Sequence, residues 1–287
     1  MTARRAITCF VDDNRHIIQQ TLALRRSWID TASPDTDMVV MGPAHVLDRL
    51  PDDLVKIPQR PAADDPVWRT YRYVNSIACM NGAGAERLDE YSHLLRTDVD
   101  TFILPGWNAF YPETFVWGTG GYSNNDDVRQ RIRAISAEHG LAHHGFTNVG
   151  STWYGPTDVV RRASAFTEML TKHILTKYFA EDEGKWPGWY AGVALLYAGE
   201  IAINHCVPNG QRSDRLDRGS TSREPIGNFA HIHCWHTDDR FSKHWFMSGR
   251  YLDVNIDELD LGVVADYCLA TSLKSLDDLP ELGVTPV

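Results

Sequence analysis

The sequence predicts an α/β fold, with a mostly parallel, mixed sheet and helices on both faces. Three observations predict it. Strand and helix signals alternate through the first half of the chain, and that order demands crossover connections and hence parallel neighbours. The length, 287 residues and 32.4 kDa, suits one large α/β domain or two small ones and is ample for a core. The composition, 43% hydrophobic and 23% charged, excludes disorder, collagen-like repeats and coiled coil. No linker or internal repeat divides the chain, so a single domain is expected over residues 1–287.

The elements follow in order. Residues 6–11 (Ala-Ile-Thr-Cys-Phe-Val) read as a buried strand. Asp12 or Asp13 is placed to cap the next helix, where Ile18, Leu22 and Ile29 recur at helical spacing. Ser33-Pro34-Asp35 is a turn, and residues 38–41 are a second strand closed by Gly42-Pro43. A short helix over 44–50 and a short strand over 54–57 precede a Pro-rich loop over 58–66. Residues 68–80 read as a helix ended by Asn81-Gly82, and 93–104 as one strand with an acidic interruption. Residues 107–124 read as a loop rich in Gly and aromatics, 126–139 as a helix and 146–154 as an extended segment. A long amphipathic helix is expected over 157–178, and a helix apolar nearly all round over 189–206. Residues 208–225, with Arg212, Arg215, Arg218 and Arg223, read as a mobile polar loop, and 229–235 as a last strand before an acidic tail.

Charge and cysteine usage narrow the function classes. With 28 Lys and Arg against 38 Asp and Glu, the net charge of −10 repels phosphate at long range and disfavours general binding to nucleic acid or anionic membrane. The five cysteines (9, 79, 206, 234 and 268) form no CxxC pair, which points to reduced thiols and a cytoplasmic location. The first residues hold too short an apolar stretch for a signal peptide. In the best membrane candidate, residues 186–208, Glu200 interrupts the apolar run, so no membrane span is expected.

Three clusters carry chemistry. In Arg96-Thr97-Asp98-Val99-Asp100-Thr101, an extended chain would set both aspartates on one face. Two close carboxylates repel unless a cation lies between them, and Mg²⁺ or Mn²⁺ takes such oxygen ligands and shares phosphate oxygens. A second triplet, Asp35-Thr36-Asp37, sits before its strand in a Pro turn, where solvated capping suffices. The next cluster is His231-Ile232-His233-Cys234-Trp235-His236, followed by Lys243-His244-Trp245. Imidazole can complete a carboxylate-held metal, and Lys243 is suited to neutralise a phosphate. Structural zinc lacks a completing second pair, and a bland cluster of surface and core histidines is the other alternative. The last is Glu200, the only Asp, Glu, Lys or Arg in 186–208. A lone carboxylate on a buried helix is costly unless paired or used, so it is either a catalytic group or a satisfied core acid. Asn148-Val149-Gly150-Ser151 joins small and hydrogen-bonding residues and suits either a polar pocket or a tight turn.

Together these pieces resemble the GT-A fold of nucleotide-sugar glycosyltransferases: a DxD after an apolar strand, an Asn-Val-Gly-Ser segment, then a late histidine followed by Lys and Trp. The His233…Lys243 element is similar to the C-terminal element of the glycogenin-like and lipopolysaccharide galactosyltransferase families, with His236 where the family has Gly and His244 where it has Pro. The Glu200 helix also resembles plant peptidyl arabinosyl- and galactosyltransferases.

The resemblance implies a nucleotide-binding half over about 5–105, an acceptor and metal-completing half over about 106–250, and a tail over 251–287. It implies a nucleoside-diphosphate sugar donor, a Mn²⁺ or Mg²⁺ cofactor and transfer that leans toward retention. The metal ligands would be Asp98, Asp100 and a late histidine, with His233 and His236 both open. Donor contacts would come from Arg72, Asn75, Asp98, Asn148, Gly150, Ser151 and Lys243, with Arg72 and Asn75 also placed to lock Asp98. Glu200 and Lys243 would serve catalysis, the 208–225 loop would act as a lid, and Trp107, Tyr111 and Trp117 would form an acceptor platform, with buried core as the equal alternative for these three aromatics. The acceptor (glycan, protein, lipid or modified nucleic acid) and the oligomeric state are left open. Another metal-dependent phosphate enzyme, a nucleotidyltransferase or pyrophosphohydrolase, and a non-catalytic binding protein on the same fold are the alternatives.

Overall fold

Ten strands and eight α-helices order the computed structural model, which describes residues 4–68, 71–235 and 239–278. The strands are β1 (Arg5–Phe10), β2 (Thr36–Gly42), β3 (Val55–Pro58), β4 (His93–Arg96), β5 (Thr101–Ile103), β6 (Val116–Thr119), β7 (Val149–Pro156), β8 (Gln211–Arg212), β9 (Arg218–Gly219) and β10 (His231–His233). The helices are α1 (Arg15–Thr31), α2 (Ala44–Leu47), α3 (Asn75–Ala78), α4 (Asp126–Glu138), α5 (Thr157–Tyr178), α6 (Ala194–Cys206), α7 (Lys243–Met247) and α8 (Val264–Ser275).

Seven strands form one sheet in the order β3-β2-β1-β4-β7-β6-β8. The pairs β3·β2, β2·β1, β1·β4 and β6·β8 are parallel, and β7 runs antiparallel to both β4 and β6. The expected mixed, mostly parallel sheet is present. β1 lies inside it and is buried at every position, Arg5 and Thr8 included. On one face Ile18, Leu22 and Leu24 of α1 pack with Ile7 and Cys9 of β1; on the other, Val160 and Ala163 of α5 and Leu195 and Ile203 of α6 pack with Ala6 and Leu94. A second, three-stranded sheet has the order β5-β10-β9. It packs through Phe102 and Ile232 with Phe241 and with Val264, Cys268, Leu269 and Leu273 of α8.

Several elements differ from the sequence expectation. The cap of α1 is Asn14, whose side chain accepts from the His16 and Ile17 amides, not Asp12 or Asp13. The helix expected over 68–80 condenses to α3 flanked by 3₁₀ turns at Arg72–Val74 and Cys79–Asn81; residues 69 and 70 lie outside the described residues. The single strand expected over 93–104 is two strands in different sheets, because the chain turns at 97–100 to leave the larger sheet. The expected loop 107–124 contains β6. The loop expected over 208–225 carries β8 and β9 and buries Leu216, Asp217 and Ser220, so it is anchored on both sheets. The apolar stretch expected as a helix from residue 189 becomes α-helical only at Ala194. Among the described residues no helix is long and apolar enough to cross a membrane, and all five cysteines are free and buried.

A carboxylate–imidazole cluster as the candidate functional site

The site forms where β4 ends. The Thr97 amide still bonds to Thr8 O of β1, at 3.0 Å, and the chain then turns through Asp98 and Asp100 into β5. The aspartates thus lie on a turn beyond a strand's carboxyl end rather than inside a strand, which is where open α/β sheets place ligands. β10 runs antiparallel to β5 with His233 opposite Thr101, and the Cys234 amide bonds to Asp100 O at 2.9 Å. That register delivers His233 from far downstream to the side of Asp100.

Asp98, Asp100 and His233 each offer a ligand atom, and these atoms all lie within 4.8 Å of one another. His233 Nε2 is 3.5 Å from Asp100 Oδ1. Lys243, at the start of α7, donates from Nζ to Asp100 Oδ2 at 2.5 Å. Arg96, fully buried, donates to Asp98 Oδ1 at 3.2 Å and to the carbonyls of Ser76 and Ser151. Two carboxylates on one turn are therefore balanced by an imidazole, an ammonium and a guanidinium. Burial alone would raise the Asp100 carboxyl; His233 and Lys243 more than offset it and hold it well below the usual carboxylate range. The same attraction overcomes the burial of His233 and Lys243 and raises both. Behind His233 stands Asp217, with Oδ1 3.5 Å from His233 Nδ1. Burial would raise Asp217, and His231 and His233 instead hold it low.

The remaining expected site residues fall outside this cluster or support it. His236 lies outside the described residues. Arg72 and Asn75 do not lock Asp98. They bond to Asp12 Oδ1 at 3.3 and 2.9 Å, beyond the carboxyl end of β1, because that carboxylate is the acceptor their 3₁₀ turn and short helix face. Burial raises Asp12, and these two partners only partly offset it. Asn148, at φ 53°, ties into a polar knot: its side chain accepts from the Ser123 amide and hydroxyl, and its amide donates to Glu200 at 2.6 Å. Glu200 is 1% exposed, and one of its oxygens accepts from Tyr122, Ser123 and Asn148. It is neither the base of an open cleft nor satisfied by His or Arg. Its neighbours are hydroxyls and an amide that support the start of β7. Gly150 O accepts from Trp153 Nε1 at 2.9 Å. The Ser151 hydroxyl is buried without a hydrogen-bond partner among the described residues, beside Arg96.

Trp107 and Trp117 are core side chains, and Tyr111 bonds to Arg5 and Asp35 at the opposite, amino end of the strands, so no aromatic platform forms there. The 208–225 arginines are also engaged: Arg215 donates to Gly106 O at 2.8 Å, and Arg218 pairs with Glu224. A second group, Glu138, His139 and His173, also brings ligand-type atoms together, but Lys177 and Tyr178 hold its carboxylate. Sequence reasoning missed Arg96 and Asp217 as parts of the site. An arginine closing an apolar strand two residues before the DxD was the one signal that could have found Arg96.

The fold and this cluster define a mixed α/β protein with a carboxylate–imidazole group beyond the end of an internal strand. Residues 57–266 match the family described as "Domain of unknown function (DUF7164)", and the chain belongs to that family. No curated protein matches the sequence. Similar solved structures include the galactosyltransferase LgtC in complex with donor and acceptor sugar analogs. It is 12% identical, with a TM-score of 0.45 over 80% of this chain and 86% of that one. An active-site mutant of LgtC, also 12% identical, has a TM-score of 0.48 over 82% of this chain and 89% of that one.

Proposed function

We propose that this protein is a metal-dependent glycosyltransferase that moves a sugar from a nucleoside-diphosphate donor to an acceptor. The observation that carries the proposal is the convergence of Asp98, Asp100 and His233, with Lys243 on the same carboxylate, at the carboxyl end of β4. The donor set fits a hard or borderline divalent ion: two carboxylates and one imidazole suit Mn²⁺ or Mg²⁺. Asp98, Asp100 and His233 would hold that ion. Bound there, it would supply positive charge against the diphosphate of the donor as the glycosidic bond breaks.

The chain's own groups divide the remaining work. Lys243 offers its ammonium beside Asp100, where it can neutralise a phosphate oxygen. Arg96 holds Asp98 in place and, through the Ser151 carbonyl, fixes the 148–151 segment against the same turn. Glu200 supports that segment from beneath, by holding the Asn148 amide.

Turnover of nucleoside-diphosphate sugars, including hydrolysis to free sugar, tests the proposal with and without Mn²⁺. Asp100→Ala should lower Mn²⁺-dependent hydrolysis at least ~100-fold, since it removes both a ligand and the partner of Lys243. Full activity in that variant, or equal activity in chelator, overturns the reading.

A further inference from the structure

Asp217 is more deeply enclosed than any of the three ligating groups. Its side chain has no exposed surface, against 31% for Asp98, 14% for Asp100 and 17% for His233. It lies between β8 and β9 at φ 56°, a left-handed conformation that Asp tolerates better than most residues. Two glycines make room for it. A Cβ at Gly118 would stand 1.8 Å from Asp217 Oδ2, and one at Gly150 would stand 2.6 Å from it. Oδ2 itself has no hydrogen-bond partner among the described residues. A buried carboxylate with an unsatisfied oxygen works against stability, which points to a role other than stabilising the fold.

Its Oδ1 shows that role. It accepts from Thr152 Oγ1 at 2.6 Å and lies 3.5 Å from His233 Nδ1. His231 also approaches Oδ1, with Nδ1 at 3.3 Å, and its Nε2 lies 2.9 Å from Thr97 Oγ1. Of the two rings, His233 is the one whose other nitrogen, Nε2, faces Asp100, at 3.5 Å. β9 pairs in parallel with β10, setting Gly219 opposite His233, and so carries Asp217 to the rear of that ring.

We propose that Asp217 is a positioning residue: it accepts the Nδ1–H of His233, fixes the ring, and leaves Nε2 facing Asp98 and Asp100. The inference rests on the metal reading above. Carboxylates behind a ligating imidazole set its tautomer and orientation, and their loss costs roughly 10–100-fold in metal affinity.

The test is a double-mutant cycle read as Mn²⁺ affinity, from the electron paramagnetic resonance signal of free Mn²⁺, in wild type, Asp217→Asn, His233→Ala and the double variant. Asp217→Asn should weaken Mn²⁺ binding by roughly 10-fold or more in the wild-type background and have no further effect once His233 is gone. Unchanged affinity in Asp217→Asn, or an equal loss in both backgrounds, overturns the inference while leaving the metal site standing. A wild-type protein that binds no Mn²⁺ overturns the metal reading and this inference with it. Should the Asp217 variant fail to fold, ¹⁵N imidazole spectra of the Mg²⁺-loaded wild type decide: a proton on His233 Nδ1 supports the assignment, and a bare Nδ1 sinks it.

Discussion

Glu200 shows what one buried carboxylate does in this protein. Burial raises it to about 7, and the hydroxyls of Tyr122 and Ser123 and the Asn148 amide only partly offset that. Because the folded value lies above the ordinary 4.5, folding favours the protonated form. The stability tied to this group is therefore complete below about pH 4.5 and is lost as pH rises through about 7, a difference on the order of 3 kcal/mol. Melting followed from pH 5 to pH 8 should show the wild type losing several degrees relative to Glu200→Gln. Parallel curves would mean the carboxyl stays ionised throughout. At this scale the sequence was informative about which residues are unusual and silent on what satisfies them. A lone acid in an apolar helix was visible. Tyr122, Ser123 and Asn148 as its partners were not, because they come from two other segments of the chain. The same holds for Arg96, whose identity is local but whose partners, Ser76 and Ser151, lie 20 and 55 residues away.

Elements were legible where one periodicity dominates. α5 spans the residues expected from its apolar stripe, since a long amphipathic pattern leaves little choice of register. The start of α1 was misplaced by a residue or two because three adjacent residues can all cap; Asn14 accepts from two amides. Asn14→Ala should lower stability by about 0.5–2 kcal/mol with turnover unchanged, as checked by denaturant titration and donor hydrolysis side by side. Short strands were the weak point. β8 and β9 have two residues each and no periodicity to read, so a segment rich in Arg, Ser and Asp passed for a loop. Their place shows only in the packing of Leu216 and Asp217 against the sheets. Gly118→Ala tests that packing directly. The new methyl would meet the Asp217 carboxylate, and overpacking of this kind should cost about 1–3 kcal/mol in a melt or denaturant titration. A wild-type-like transition would show that the 211–219 segment gives way easily.

At the scale of the whole molecule, the C-terminal helix belongs to the core. Val264, Cys268, Leu269 and Leu273 of α8 pack with Ala23 of α1 and with Phe102, Phe241 and Phe246. A chain ending at residue 263 should lose its cooperative thermal transition, since that apolar cluster would be left open to water. The site draws on the same assembly: its aspartates leave one sheet, its histidine belongs to the other, and its lysine opens α7. Binding of uridine or guanosine diphosphate with Mn²⁺ should raise the melting temperature, with a ligand at 100 times its Kd adding about 2.7 kcal/mol. The nucleotide without metal should add much less, because the chain carries a net charge of −10 and the diphosphate needs a neutralising cation. The sequence by itself determined the alternation of strand and helix, and it marked Asp98, Asp100, His233 and Lys243 as chemically unusual, because hydrophobic period and residue chemistry are local properties. The tertiary structure alone decided that His233 and Lys243 meet Asp100, that Asp217 stands behind the ring, and that Arg72 and Asn75 serve Asp12 instead. Those meetings depend on strand register and on which buried charge finds which partner, and both are fixed only when distant segments pack together.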